Sequence, residues 1–465
     1  MTLPHLLRRL RAFLRMLLRR QVRHMRRLSR KSVQLVLLLS GAALVSLVSL
    51  GFTQLADRAL AWNALWVQRA GWLAFIILPL GLAAIRWLTL RYAPNSAGSG
   101  IPQVIAALSL PPGPAQNGLV SLRQTVWKIP LSFLGMLSGA SIGREGPSVQ
   151  VGAAVMLAWG KFWKQRGLPL KGFHANELIA AGAAGGLAAA FNAPLAGMIF
   201  AIEELGRGTV LRWQRLVLIG VLASGFMVVA VIGNNPYFGS FSAAPLADMV
   251  GWVLLCGAVN GALGGIFARL LGKGATAVAP RMWRGWIRAH PILLAFGMGL
   301  LLALLGYITH GAVYGTGYGI AATLLSGQPP GQDGFGVAKL AATLVSYWAG
   351  IPGGIFTPAL TTGAGIGQQI WSWTGGTVDQ RVLVLISMAA FLAAATQAPL
   401  TASVIVMEMT GSQPMLFWLL LASLSASLVS RQFCPHAFYH FAAGRFRRQA
   451  LVDGGRGGTG DEPKS

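Results

Sequence analysis

From residue 33 to residue 430 the chain is a succession of apolar runs, and half of those runs are cut short by glycine or proline. Seven are long enough to span a bilayer, or nearly so: about 33–54, 71–90, 118–138, 214–232, 249–271, 291–309 and 414–430. Seven more are shorter, near 148–160, 178–190, 194–202, 337–349, 359–372, 383–395 and 400–407, and each is bounded by Gly or Pro. A row of continuous spanning helices does not read this way. Helices that break within the membrane do, because irregular backbone at that depth is tolerated only where it is buried in protein or lines a cavity. Composition agrees: 54% of residues are hydrophobic and 11% charged, against about 25% charged in an average soluble chain. A soluble enzyme, a secreted scaffold and a disordered chain are excluded.

The net charge of +26, from 38 Lys+Arg against 12 Asp+Glu, raises the question of nucleic acid. The distribution answers it. Eleven basic residues lie in residues 1–31 and the rest are separated by long apolar runs, so no basic reading face can be assembled. Cys256 and Cys434 make no disulfide framework and have no metal-ligand spacing. In residues 3–22, Leu3, Leu6, Leu7, Leu10, Phe13, Leu14, Leu17 and Leu18 fall at helical spacing with Arg between them. That pattern suits a helix lying on an anionic membrane face. Arg8-Arg9 resembles a twin-Arg signal, but basic residues continue to Lys31 with no small-residue cleavage site. Residues 1–32 therefore read as a basic cytoplasmic arm. Basic residues also mark 161–171, 269–288 and the tail, whereas 216–268 and 289–338 have none. The positive-inside rule puts both termini in the cytoplasm and the loops near 233–248 and 310–335 outside.

The chain repeats itself. Asn192-Ala193-Pro194-Leu195-Ala196-Gly197 resembles Gln397-Ala398-Pro399-Leu400-Thr401-Ala402 at an offset of 205, and Glu203 matches Glu408 at the same offset. Gly143, Pro147 and Gly152 match Gly354, Pro358 and Gly363 at an offset of 211. Two halves, 33–232 and 249–440, thus flank an external linker at 233–248. With both termini inside, the halves are inverted if each crosses the membrane an odd number of times. Inverted repeats with broken helices are a transporter plan, with the site where the halves meet. Glu203, being repeated, reads as a structural residue common to both halves. Glu204 has Met409 as its counterpart, so its role belongs to one half only.

Three segments place Gly, Pro and polar residues inside apolar surroundings: Gly98-Ser99-Gly100-Ile101-Pro102, Gly143-Arg144-Glu145-Gly146-Pro147 and Gly353-Gly354-Ile355-Phe356-Thr357-Pro358. Each Pro sits where a first helical residue would sit. Free N–H groups and the helix dipole at such starts favour an anion. Converging starts hold an anion without a full positive charge, which would slow its release. On these grounds the chain is an anion transporter. Glu145 is one of few acids in an apolar setting, where an unpaired charge is costly. Its alternatives to a functional role are pairing with Arg144 and capping a helix.

These three segments, in this order and spacing, together with Phe191-Asn192-Ala193-Pro194-Leu195-Ala196-Gly197 before Glu203-Glu204 and the later Gln397-Ala398-Pro399-Leu400-Thr401, resemble the signatures of the CLC chloride channel and transporter family. The resemblance covers about residues 33–440. It implies an all-α membrane protein of two inverted-topology repeats built from broken and tilted helices, usually a homodimer in membrane lipid with one pathway per subunit. It implies chloride and protons as substrates and no cofactor. By the resemblance, chloride is bound by the hydroxyls of Ser99 and Tyr439 and the N–H groups of Ile355 and Phe356. Glu145 is the gating glutamate and Glu204 the internal proton-transfer residue. Lys128, 17 residues before Glu145, Arg144 and Glu203 are supporting residues; for Lys128 the alternative is a lysine snorkelling from a helix end. The Tyr439 segment departs from the family in Ala437-Phe438, Gln103 stands where an acid is common, and Thr357 where Ala is common. Ser99 rather than Pro argues against the nitrate-preferring pattern, and the Glu145 and Tyr439 segments argue against the fluoride-exporting branch. The tail, 441–465, is too short for the paired regulatory nucleotide-binding domains of many eukaryotic members. The expectation is an H+/Cl− antiporter in a bacterial inner membrane, with a passive chloride channel of the same fold as the alternative. A membrane-embedded enzyme is disfavoured by the absence of GxSxG, HExxH or a paired His/Asp set in the apolar segments.

Overall fold

The computed structural model describes residues 3–167, 174–207, 215–241, 248–328, 333–375 and 378–457, with backbone only for 3–31, 215–216 and 454–457. The structure is all-helical, with two isolated β-bridges, Gly98 to Pro352 and Gly143 to Gly354. The first half holds α1 (Leu3–Arg69), α2 (Ala74–Tyr92), α3 (Ile101–Leu108), α4 (Pro114–Leu119), α5 (Leu122–Ser138), α6 (Glu145–Gln165), α7 (Ala175–Phe191), α8 (Pro194–Phe200) and α9 (Arg215–Ile232). The second holds α10 (Met249–Lys273), α11 (Ala275–Val278), α12 (Arg284–Ala289), α13 (Pro291–Ile308), α14 (Tyr318–Leu325), α15 (Phe335–Trp348), α16 (Phe356–Trp373), α17 (Gln380–Thr396), α18 (Pro399–Thr410) and α19 (Leu416–Phe433), and α20 (Phe438–Gly457) follows.

Among the described residues, five helical stretches are apolar and long enough to cross a membrane: Ser32–Arg69, Gly71–Tyr92, Met249–Lys273, Pro291–Ile308 and Gln413–Phe433. The short apolar runs become helices that start at the Gly- and Pro-containing breaks. Two boundaries differ from the sequence expectation. The arm and the first apolar run are one helix, because nothing between residues 22 and 33 interrupts it; no Gly or Pro stands there. Likewise α20 runs across the expected start of the tail. The side chains of the arm, Lys171, residues 242–247 of the linker and residues 458–465 of the tail lie outside the described residues.

The inversion is written into two carboxylates. Glu203, just past α8, accepts from the backbone N–H groups of Leu400 and Thr401 at 3.1 and 2.6 Å. Glu408, at the end of α18, accepts from Leu195 and Ala196 at 3.1 and 2.7 Å. Each of the two helices thus caps the start of the other, as two antiparallel copies related by a two-fold must. Both contacts satisfy orphan first-turn donors with an anion at the positive helix end. The lysines repeat too. Lys128 donates to the carbonyls of Ser96 and Gly98 at 3.0 and 3.1 Å, ahead of α3. Lys339, at the offset of 211, donates to Val313 and Gly315 at 2.8 and 2.7 Å, ahead of α14. Both are fully buried, so Lys128 braces a loop and does not snorkel.

The centre is α6 on α7 and α16 on α17. A Cβ at Gly152 would stand 2.2 Å from the Gly182 carbonyl, so α6 and α7 touch backbone to backbone. Small residues make this contact possible where lipid offers no hydrophobic drive between helices. Helices α7 and α17 are buried along nearly their whole length. Replacing Glu408 by Ala should remove two charge-assisted bonds from α8. Such bonds are worth roughly 1.5–3 kcal/mol each when buried; since Glu408 is half-buried, we expect a loss of about 2 kcal/mol, read as a lower thermal midpoint in detergent.

Candidate functional site

Three helix starts meet at the two bridges. Gly98 donates to Ile351 at 3.0 Å and receives from Gly353 at 3.1 Å, while Gly143 and Gly354 exchange bonds of 2.7 Å in both directions. These bonds stitch the segments before α3, α6 and α16 side by side. Proline lies at the second position of α3 and the third of α6 and α16, one or two residues deeper than expected. The first turn has no intrahelical use for those N–H groups, so any of these positions accepts Pro. Gly100 before α3 has φ of 105°, a left-handed conformation that suits Gly. A Cβ at Gly146 would stand 2.3 Å from the Ser99 hydroxyl oxygen, which shows how closely the starts approach.

Glu145 is the first residue of α6 and is fully buried. One carboxylate oxygen accepts from the Thr357 hydroxyl at 2.5 Å, and the Thr357 backbone N–H also faces the carboxylate. The other oxygen has no hydrogen-bond partner and curls toward Gly143, where a Cβ would lie 2.2 Å away. The carboxylate therefore sits at the start of α16, where free N–H groups favour an anion. Arg144 makes no hydrogen bond to it. Its guanidinium donates to the Asp57 carboxylate, to the Thr53 carbonyl at 3.1 Å and to the Tyr237 hydroxyl at 3.2 Å. Arg144 thus ties α6 to α1 and to the loop at Tyr237.

Ser99, Ile355, Phe356 and Tyr439 are all buried and lie around the same junction. The hydroxyls of Ser99 and Tyr439 lie close enough to interact, but neither has a partner of good hydrogen-bond geometry. The Phe356 ring lies 5.8 Å from that of Tyr439 and 6.3 Å from that of Phe200, so aromatic faces line the approach. Glu204 is fully buried on a π-helical turn, Ala201–Leu205, that continues α8. Such turns change the register of side chains and are frequent at functional sites. Here Glu203 reaches α18, while both oxygens of Glu204 have no hydrogen-bond partner. Arg207 donates to the Gln397 carbonyl at 3.0 Å, so it is not the hydrogen-bonded partner of Glu204. Among the described residues, the basic nitrogen that comes within ion-pair distance is Nε2 of His440, 3.5 Å from Oε1.

The sequence profile of the voltage gated chloride channel family matches residues 80–431. The chain belongs to the voltage gated chloride channel family. The H(+)/Cl(-) exchange transporter ClcA of Vibrio cholerae is 31% identical over 389 residues, covering 77% of each chain. ClcA of Citrobacter koseri is 30% identical over 383 residues, covering 77% of this chain and 76% of that one. Among solved structures, a slow cyanobacterial Cl-/H+ antiporter matches with a TM-score of 0.74 and 24% identity, over 90% of this chain and 98% of that one. A eukaryotic CLC transporter matches at 0.68 and 20% identity, over 88% and 74%. The structural matches are likenesses of fold.

Two side chains at this junction, His440 and Thr357, are given no role by the sequence. His440 was visible only as the residue after Tyr439. Thr357 was visible as a departure from Ala, and its hydroxyl now proves to hold the Glu145 carboxylate. A hydrogen bond to a charged group is worth about 1.5–3 kcal/mol, and about 1.4 kcal/mol is tenfold in rate. An anion taking the same seat would receive the same hydroxyl, so only part of this is differential. Thr357→Val should therefore raise chloride efflux from loaded vesicles by severalfold to about tenfold; an unchanged rate would mean the hydroxyl does not restrain the carboxylate.

Proposed function

We propose that the chain exchanges chloride for protons across a membrane, with Glu145 as the gate. The observation that carries this is the Glu145 carboxylate lodged at the start of α16, under the Thr357 hydroxyl. A carboxylate is itself an anion, so it competes with chloride for the same partial positive charge, about half a unit at a helix start. Protonation removes its charge and its claim on that position, and chloride can enter. Chloride is held further in by the hydroxyls of Ser99 and Tyr439 and the N–H groups of Ile355 and Phe356, all at the junction of α3, α16 and α20. None of these is a full cation, so binding is compatible with release. Glu204 hands protons between Glu145 and the cytoplasm. Lys128, Arg144 and Glu203 support the site by fixing the loop before α3, the start of α6 and the start of α18.

The reading is supported by the names of the relatives, which are H(+)/Cl(-) exchange transporters matched over three quarters of the chain. It places the two halves, 33–232 and 249–440, in a plasma membrane of bacterial type, with both termini in the cytoplasm and two copies associating as a homodimer. No cofactor and no nucleic acid enter it.

The test is proton movement in sealed vesicles, driven by a chloride gradient with the voltage clamped by a potassium ionophore. Uphill proton pumping that vanishes in Glu204→Gln while chloride flux survives is the expected result. Chloride flux with no proton movement in the unmodified protein would make it a passive channel. Glu145→Gln, which mimics the protonated gate, should pass chloride at a rate that no longer varies with pH and should pump no protons.

A further inference from the structure

Glu204 presents a difficulty that the exchange reading leaves open. Its side chain is 1% exposed, so solvent protons cannot reach it directly. His440 lies in the first turn of α20, next to Tyr439, and its side chain is 23% exposed. Its Nε2 lies 3.2 Å from the Glu204 carbonyl oxygen and 3.5 Å from Oε1 of the same residue. The imidazole thus lies against the buried Glu204 while part of its own side chain is exposed.

The hydrogen-bond pattern sets the tautomer. A carbonyl oxygen can only accept, so Nε2 carries the hydrogen and Nδ1 is left as an acceptor. The charged surroundings are simple. Among the described residues, Arg207 is the charged side chain beside the ring besides Glu204. Of the helices packed on α20, α3 and α4 carry no ionisable side chain. Arg381 of α17 is directed to the Ser326 carbonyl, and Arg269 and Lys273 of α10 line a separate cavity of about 380 Å³ with His436, Phe438 and Phe441.

We propose that His440 is the proton relay between the cytoplasmic solvent and Glu204. A solvent proton adds to Nδ1, the Nε2–H bond breaks as an O–H bond forms on Oε1, and neutral imidazole remains with its hydrogen on Nδ1. Proton exchange with solvent while the ring is swung away from Glu204, Nε2 gaining a hydrogen and Nδ1 losing its own, restores the starting tautomer. The 3.5 Å gap closes with a small ring movement or one bridging water, the usual reach of acid–base transfer. Imidazole, with an ordinary pKa of about 6.5, exchanges protons readily near neutral pH. The relay rests on the exchange reading above.

The experiment uses the full chain in vesicles and reads the proton-to-chloride flux ratio. His440→Gln keeps a donor for the Glu204 carbonyl but cannot relay a proton, and His440→Ala opens room for a free imidazole. The ratio should fall about tenfold or more in both, and millimolar imidazole on the cytoplasmic side should restore it in His440→Ala but not in Glu204→Gln. A ratio equal to that of the unmodified protein in His440→Gln overturns the relay, whether or not the Ala variant folds. So does a loss in His440→Ala that imidazole leaves untouched, since it assigns His440 a structural bond only. Absence of proton movement in the unmodified protein is a different failure: it removes the exchange reading itself, and the relay with it.

Discussion

Backbone that breaks at membrane depth must find partners for its N–H groups, and this constraint organises the whole molecule. A first helical turn leaves up to four such groups without an intrahelical acceptor. In water the solvent would satisfy them; here α3, α6 and α16 all start inside the protein. The structure answers in two ways. At α8 and α18 the groups are capped by carboxylates, Glu408 and Glu203, borrowed from the opposite half. At α16 the carboxylate of Glu145, a group that protonation can switch off, accepts from the Thr357 hydroxyl and faces the Thr357 N–H. A permanent cap makes a structural joint, and a removable one makes a site.

The two-fold relation makes both arrangements possible. A helix cannot cap its own start with a carboxylate from its own far end. Two antiparallel copies can cap each other, and the offset of 205 is preserved in donors and acceptors alike. The same logic applies to the lysines. A loop running into a short buried helix turns its carbonyls toward an incoming ammonium, and Lys128 and Lys339 serve the two loops in turn.

Much of this was legible in the sequence, for local reasons. Apolar runs and their Gly and Pro interruptions are read a few residues at a time, and they located fourteen of the twenty helices described, missing five short ones and α20. The offset of 205 foretold that Glu203 and Glu408 were a structural pair, because a repeated residue signals a repeated job. What escaped depended on contacts between distant segments. Arg144 meets Asp57 across 87 residues, Thr357 meets Glu145 across 212, and His440 meets Glu204 across 236. No window of sequence contains both partners. Lys339 is the instructive case, since it stands 211 residues from Lys128, at the offset already found for the helix starts. Extending that alignment by one helix would have located it. The unbroken α1 was missed for a different reason: a change from basic to apolar composition marks a change of surroundings, and it need not mark the end of a helix.

Function lies where the halves differ. At the offset of 211 the first residues of α6 and α16 correspond, and they are Glu145 and Phe356. In the proposed exchange one helix contributes the competing anion and the other the N–H groups for which anions compete. With Glu at both starts, two carboxylates would share one seat and repel; with Phe at both, nothing in the seat would respond to protons. At the offset of 205, Glu204 corresponds to Met409. The first lies on a π-helical turn, whereas α18 stays α-helical through Met409. On that turn Glu203 makes its structural bond to α18 while its neighbour Glu204 is turned into the protein. A symmetric molecule would offer the proton equivalent routes from both faces. Breaking the symmetry at these two positions places one carboxyl at the start of α16 and another on the side of α20, and in the proposed exchange this gives proton movement a route distinct from that of chloride.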